Sequence, residues 1–226
     1  MSVSLIIPAL NESALVETAV VRGRACGADE VIVVDGGSDD DTVQRAQSAG
    51  GQVLQSPAGR ARQLNQGASR AASDVLLFVH ADNWLPEGAA RQIGTALAFD
   101  HTVGGAFQQR IEAAGRLYRW LEWGNARRIR WWQLPYGDQG IFVRREVFER
   151  LGGFPDVPLL EDLLFARRLR QEGHVALLPG PLSVSARRWQ QQGVVRQTLR
   201  NWCILAAHRL GASPERLAPY YRRHAP

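Results

Sequence analysis

Leu76–Pro86 reads LLFVHADNWLP. Leu76, Leu77, Phe78 and Val79 run without a polar interruption, and His80, Asp82 and Pro86 follow. A short apolar run closed by turn-forming residues is the pattern of a buried strand. That strand would deliver the Asp82 carboxylate to the edge of a sheet. Two other runs end in the same way. SLIIPALNE (4–12) closes on Asn11 and Glu12, and EVIVVDGGSDDD (30–41) closes on Asp35 and two glycines.

The segments between these runs carry helical signals. Leu15, Ala19 and Val20 have helical spacing within 13–25. Asp39, Asp40 and Asp41 open a helix reaching about Ala49, with carboxylates where the helix dipole favours them. Gln52–Gln55 reads as a third short strand. Gly59–Ala72 reads as a helix with Arg60, Arg62, Gln63 and Asn65 near its start. Strand and helix alternating at these intervals predict βαβ units and a parallel sheet. In such sheets ligands bind beyond the carboxyl ends of the strands. One carboxylate at a strand end is usually a turn or cap residue. Three polar strand ends in one half of a chain point to a site.

Composition bounds the classes. The 226 residues suit one large α/β domain, with 45% hydrophobic and 22% charged residues as in soluble globular proteins. Two distant cysteines, Cys26 and Cys203, form neither a disulfide framework nor a zinc cluster, so a reducing, cytoplasmic setting is expected. No basic segment followed by an apolar stretch opens the chain, so no signal peptide is expected. No apolar run approaches the roughly 20 residues that span a bilayer. The net charge is +5, the sequence pI is about 10.0, and all 27 basic residues are arginine. Arginine forks match phosphates and carboxylates, although a compositional bias explains surface arginines as a class.

The strand ends suggest a ligand. A strand-end Asp can accept hydrogen bonds from a ribose hydroxyl or a base N–H. Asp82 offers a hard oxygen suited to Mg²⁺ or Mn²⁺, which would neutralise a diphosphate. Neither GxGxxG nor the P-loop lysine pattern occurs. A metal-bound diphosphate without a P-loop fits a nucleotide sugar.

IIPALNE, VIVVDGGSDDDT, LLFVHAD and LLEDLLFARRL, in that order, resemble the inverting GT-A glycosyltransferase family 2 over roughly residues 3–170. GRARQLNQGA, FVHADNWLP, YGDQGIFVRR and RRWQQQGVVRQTLRNW resemble a bacterial subgroup associated with arsenosugar biosynthesis. The resemblance implies that Pro8, Ala9, Asn11 and Glu12 form the nucleotide-contacting first loop and that Asp35 binds the base, typically uracil. Arg60 and Asn65 are counted with this donor site. His80, Ala81 and Asp82 stand where the family has its DxD motif, with Asp82 as the metal-binding carboxylate. His80 departs from that motif; it can ligate Mn²⁺, bond a ribose or phosphate, or fill the strand end.

Further on, a helix follows Pro86 to about Ala98, and 103–111 reads as a strand. Residues 115–130 form a helix rich in Arg and Trp. The bland reading, which we favour, puts its tryptophans in the core and its arginines in water; the alternative lays it on an anionic membrane. Asp138 and Gln139 of YGDQG are acceptor-side candidates, the family having this region near sugar and acceptor. In LLEDLLFARRLR the carboxylates Glu161 and Asp162 open an amphipathic helix. The resemblance makes Asp162 the general base, with Glu161 in support, since an inverting transfer needs a carboxylate to take the acceptor proton. Arg60, Arg62 and Arg188 are candidates for the leaving diphosphate. HVALLPG reads as a short edge strand. Gln197, Arg200 and Trp202 miss by one residue the QxxRW spacing of processive relatives.

The expected protein is therefore an α/β GT-A domain with a mostly parallel central sheet (1–188) and a C-terminal helical extension packed on it (189–226). It would move a hexosyl group from a nucleoside diphosphate sugar, UDP-linked, to a hydroxyl acceptor, with Mn²⁺ or Mg²⁺ bound at Asp82. A lipid-linked acceptor and peripheral contact with the inner membrane face stay open; nucleic acid is not expected. Two alternatives remain: a sugar-phosphate nucleotidyltransferase, and a non-catalytic basic module for anionic lipid or nucleic acid.

Overall fold

β1 (Val3–Ala9), β2 (Glu30–Asp35) and β4 (Val75–Phe78) are the three apolar runs, and they lie side by side in the middle of one sheet. This computed structural model describes residues 1–222. The runs are almost unbroken in apolar character because both faces of the sheet are covered. Leu5, Ile7, Val33, Leu77 and Val79 face one core with α1 (Val16–Ala25) and α4 (Ala89–Leu97). Ile6, Ile32, Val34, Leu76 and Phe78 face the other with α3 (Arg60–Arg70) and α7 (Glu161–Glu172). α3 lies close on the sheet because Gly67 lacks a side chain; a Cβ there would stand 2.5 Å from Ile6 Cγ2.

The eight strands run in the order β3-β2-β1-β4-β7-β6-β8-β5. β3 (Gln52–Gln55), β2, β1 and β4 pair in parallel, connected by α1, α2 (Thr42–Ser48) and α3. β6 (Thr102–Ile111) and β7 (Ile141–Arg144) bring antiparallel pairing, and β8 (His174–Val184) returns parallel to β6. β5 is only Asn83–Trp84 and pairs with the end of β8. This is the expected α/β fold with a curled, mostly parallel sheet.

Two expectations need correction. HVALLPG is not a short edge strand: β8 has 11 residues and is paired on both sides. Its Pro179-Gly180-Pro181 segment interrupts the apolar pattern without ending the strand, and the register with β6 shifts there, past Phe107. The tryptophans of α5 (Arg116–Trp132) are not in the core. Trp120, Trp123, Trp131 and Trp132 are all more than half exposed, while Tyr118, Glu122 and Ile129 face inward. Arg119 and Glu122 pair beneath the helix at 3.0 Å, and Arg127 stacks over Trp123 and Trp131 at 4.4 and 3.9 Å.

After β8 come α8 (Arg187–Gln192), α9 (Val194–Arg209) and α10 (Pro214–Arg222). Ile204, Leu217 and Ala218 cluster with Leu159, just before α7. Between them, α9 and α10 therefore sit over the end of the sheet where α7 begins. Among the described residues no helix is long and apolar enough to cross a membrane. The side chain of Arg188 and most of the basic tail after Tyr221 lie outside the described residues.

Candidate active site

The carboxyl ends of β1 and β2 are joined by side chains from three elements. Gln63, buried on α3, donates from one amide nitrogen to the carbonyls of Ala9 and Val34, both at 2.8 Å. Asn11, in the left-handed region at φ 55°, accepts from the Asp39 N–H and offers its own N–H to Ser38 Oγ. The Glu12 N–H donates to Thr42 Oγ1, and that of Ser13 to Asp40. The Thr42 hydroxyl and the N–H groups of Thr42 and Ser13 hold the half-buried Asp40 carboxyl down at about 2. Asp35 is almost fully buried; its carboxylate accepts from Gly37 N–H, Ser38 N–H and Ser38 Oγ. It shapes this loop, as the bland reading of a strand-end Asp requires. The two loops thus form one stitched ledge beyond the strands, with Pro8 half-buried and Ala9 buried at its base.

Beside this ledge, β4 leads through Val79 to His80, Ala81 and Asp82. Ala81 is buried, whereas His80 and Asp82 are half-buried and line a cavity of about 170 Å³. Asp138 and Asp162 share its wall. Asp138 sits on a 3-10 turn, Gly137–Gln139, whose carbonyl at Asp138 accepts from Asn83 and Gln109. Asp162 stands in the first turn of α7, and its Oδ2 accepts the Gly137 N–H at 2.6 Å. A Cβ placed on Gly137 would lie 3.1 Å from His80 Nε2 and 3.2 Å from Asp162 Oδ2. The strand-end histidine and the helix-start carboxylate therefore flank one glycine.

Charge is arranged unevenly around this cavity. Glu161 is buried and pairs with Arg60 at 3.1 Å. Burial pushes the Glu161 carboxyl up, and the Arg60 charge pulls it back. For Arg60, burial works against the charge, but Glu161, Tyr221 and Asp162 outweigh it and hold the guanidinium above its ordinary value. Burial also raises the Asp138 carboxyl; Gln109 and Arg128 lower it, and Asp162 and Asp82 add to the rise. Asp138 Oδ1 is buried without a hydrogen-bond partner. A buried acceptor left open in this way fits a hydroxyl donor from a ligand.

Among the described residues no three His, Cys, Asp or Glu side chains gather as a ready-made metal cage. The donor set around Asp82 does fit a hard cation held by one carboxylate, with His80 beside it. Mg²⁺ and Mn²⁺ commonly take one or two protein ligands and complete their shell with phosphate oxygens and water.

The remaining sequence candidates are used otherwise. Asn65 is occupied at both ends of its amide by Phe154, donating to its carbonyl at 2.8 Å and accepting its N–H at 2.9 Å. Gln139 is fully buried and does not face the cavity; its Oε1 accepts from Arg128 and from the Tyr136 N–H. Arg62 pairs with Asp156 on the surface. Glu12 reaches Arg187 at 4.0 Å, joining the first loop to α8. Tyr136, Gln197, Asn201 and Tyr221 complete the cavity, a role the sequence expectations assigned to none of them. Gln197 and Asn201 are four apart on α9, two turns and one turn before Ile204 and Leu205, and that spacing was visible in the sequence.

Residues 4–152 match the model of Glycosyl transferase family 2. The chain belongs to that family. A glucosyl-3-phosphoglycerate synthase of Mycolicibacterium smegmatis is 30% identical over 130 residues, covering 50% of this chain and 43% of that protein. This chain thus spans less than half of that relative. Among solved structures, S. aureus TarS 1–349 in complex with UDP-GlcNAc superimposes with a TM-score of 0.65 at 17% identity, over 82% of this chain and 58% of that one. Glucosyl-3-phosphoglycerate synthase from Mycobacterium tuberculosis, in complex with Mn²⁺, UDP and glucosyl-3-phosphoglycerate, gives 0.57 at 22% identity, over 81% and 70%. Both likenesses show the fold.

Proposed function

We propose that this chain transfers a hexosyl group from a UDP-linked sugar to a hydroxyl acceptor with inversion, and that Asp162 is the general base. One observation carries this reading. Asp162, fixed by the Gly137 N–H, faces the same cavity as Asp82, at the carboxyl end of the sheet. In the proposed step the Asp162 carboxylate takes the acceptor's hydroxyl proton. The acceptor oxygen forms its bond to the anomeric carbon from the face opposite the leaving group, and the bond to the diphosphate breaks. Glu161 and its partner Arg60 hold the start of α7, so the base has a fixed origin. The Asp138 Oδ1 accepts from a sugar hydroxyl. Asp82 would hold a divalent cation, Mn²⁺ or Mg²⁺, which would supply charge neutralisation at the leaving diphosphate. The Mn²⁺ and UDP complex of the M. tuberculosis relative supports the choice of metal and nucleotide.

The finer readings belong here too. Motifs such as FVHADNWLP and YGDQGIFVRR support membership of the arsenosugar-associated subgroup. The described part of the 189–226 extension covers the acceptor side, a reading supported by the packing of Ile204 and Leu217 on Leu159. The exposed tryptophans of α5, with the exposed Arg116 and Arg130, support contact with the inner face of a membrane.

A screen of nucleotide sugars for Mn²⁺-dependent binding and slow hydrolysis tests the proposal without knowledge of the acceptor. One UDP-sugar should bind more tightly with Mn²⁺ than with chelator and be hydrolysed slowly. Equal binding under both conditions, with no hydrolysis of any donor, would contradict it.

A further inference from the structure

A second cavity, of about 440 Å³, adjoins the one at Asp162 between α5 and α9. The two share Tyr136, Asp138, Trp189, Asn201 and Leu205 in their walls. At its mouth Trp120, Trp132 and Trp202 are 52%, 57% and 51% exposed, and the Trp120 and Trp202 rings stand 6.1 Å apart. Aromatic rings grouped at the mouth of a cavity offer rigid apolar contact area to a ligand. Leu121, Leu134 and Leu163 extend the apolar lining inward.

Three arginines enter the same wall, and one is already engaged. Arg128 donates to the Leu134 carbonyl and to Gln139, and its guanidinium lies 3.4 Å from the centre of the Tyr136 ring. Arg167 of α7 and Arg209 of α9 differ from it. Among the described residues neither has a carboxylate within 4.0 Å. Arg167 lies 3.4 Å from the His208 ring, and the charge of Arg209 is felt at Tyr136, on the shared wall. Two arginines without counter-charge beside aromatic surface are complementary to an anion attached to an apolar or ring-bearing body.

We propose that this second cavity holds the acceptor, and that the acceptor is an anionic amphiphile. Its phosphate or carboxylate would meet Arg167 and Arg209, its apolar body would lie against Trp120, Trp132 and Trp202, and its hydroxyl would reach Asp162 through the shared wall. The inference rests on the reading of Asp162 as the base.

Calorimetry on the whole chain with three probes tests it: hexyl phosphate, hexanol and inorganic phosphate. Hexyl phosphate should bind at least about tenfold more tightly than either of the others. The double change Arg167→Gln with Arg209→Gln should weaken it about tenfold or more, and Trp202→Ala should also weaken it, while UDP with Mn²⁺ binds each variant as before. Hexyl phosphate binding no tighter than hexanol, or unaffected by the double change, would overturn the proposal. Sedimentation with phosphatidylglycerol vesicles separates the sources. Vesicle binding lost in the double variant assigns a lipid headgroup, and hexyl phosphate binding alone assigns a soluble acceptor; both outcomes keep the proposal. UDP binding without hexyl phosphate binding defeats this inference only. Hexyl phosphate binding without UDP binding defeats the donor reading instead.

Discussion

The backbone N–H of Gly137 donates to Asp162 Oδ2 across 2.6 Å, tying the turn that carries Asp138 to the first turn of α7. There is no room for a methyl group in this junction without movement: it would meet His80 Nε2 at 3.1 Å and Asp162 Oδ2 at 3.2 Å. Displacing a reacting group by a few tenths of an ångström costs rate more than binding. Gly137→Ala is expected to slow donor turnover about tenfold or more while leaving UDP affinity and Tm close to the parent. Turnover kinetics beside calorimetry and thermal melting check this.

Arg60 and Glu161 form the pair behind Asp162, the proposed base. Arg60→Ala strands a buried carboxylate. Breaking a fully buried pair costs about 3–5 kcal/mol, but with 35% of the Arg60 side chain exposed the expected loss is about 1–3 kcal/mol. The pH dependence has a definite sign. Burial holds the Glu161 carboxyl above its ordinary value, and removing Arg60 raises it further. A carboxyl raised in the folded state costs stability above its folded pKa, and the cost fades as pH falls through it. The deficit of Arg60→Ala should therefore be larger at pH 8 than at pH 5, as read by urea denaturation at both.

Gln63 bridges the carboxyl ends of β1 and β2 by two 2.8 Å hydrogen bonds to buried carbonyls. Gln63→Leu is expected to cost about 1–2 kcal/mol and to loosen the loops that follow both strands, with UDP binding weakened. Denaturation and calorimetry give the two readings; unchanged UDP binding would separate the clamp from the site.

The sequence was most legible where local pattern and burial agree. β1, β2 and β4 are apolar because both their faces are covered, and each hands a polar group to the same edge, which is where the sequence places the candidate site. Asp82, Asp138 and Asp162 come from elements far apart in sequence, yet they share one wall. Legibility failed where tertiary contacts decide. Nothing local tells that Gln139 is sealed inside or that Asn65 serves Phe154. The tryptophans of α5 read as core by residue type, but Glu122 and Ile129 take the inner face, and the rings are turned outward around arginines. In β8 a Pro-Gly-Pro segment masked a strand that its two neighbours hold in place.

Asp82 anchors the donor in this account. Asp82→Ala should weaken UDP binding about tenfold in Mn²⁺ and have little effect in chelator, because the carboxylate acts through the cation. Equal UDP affinity in parent and variant, with and without Mn²⁺, would remove the metal role from this residue.

The central claim is that Asp162 is the base, and the most direct test is the Asp162→Asn variant. It keeps the shape and still accepts the Gly137 N–H, but cannot take a proton. With a UDP-sugar and Mn²⁺, turnover of the donor is predicted to fall by about 10²-fold or more while UDP binding stays at the parent level. Parent-level turnover in that variant would contradict the assignment.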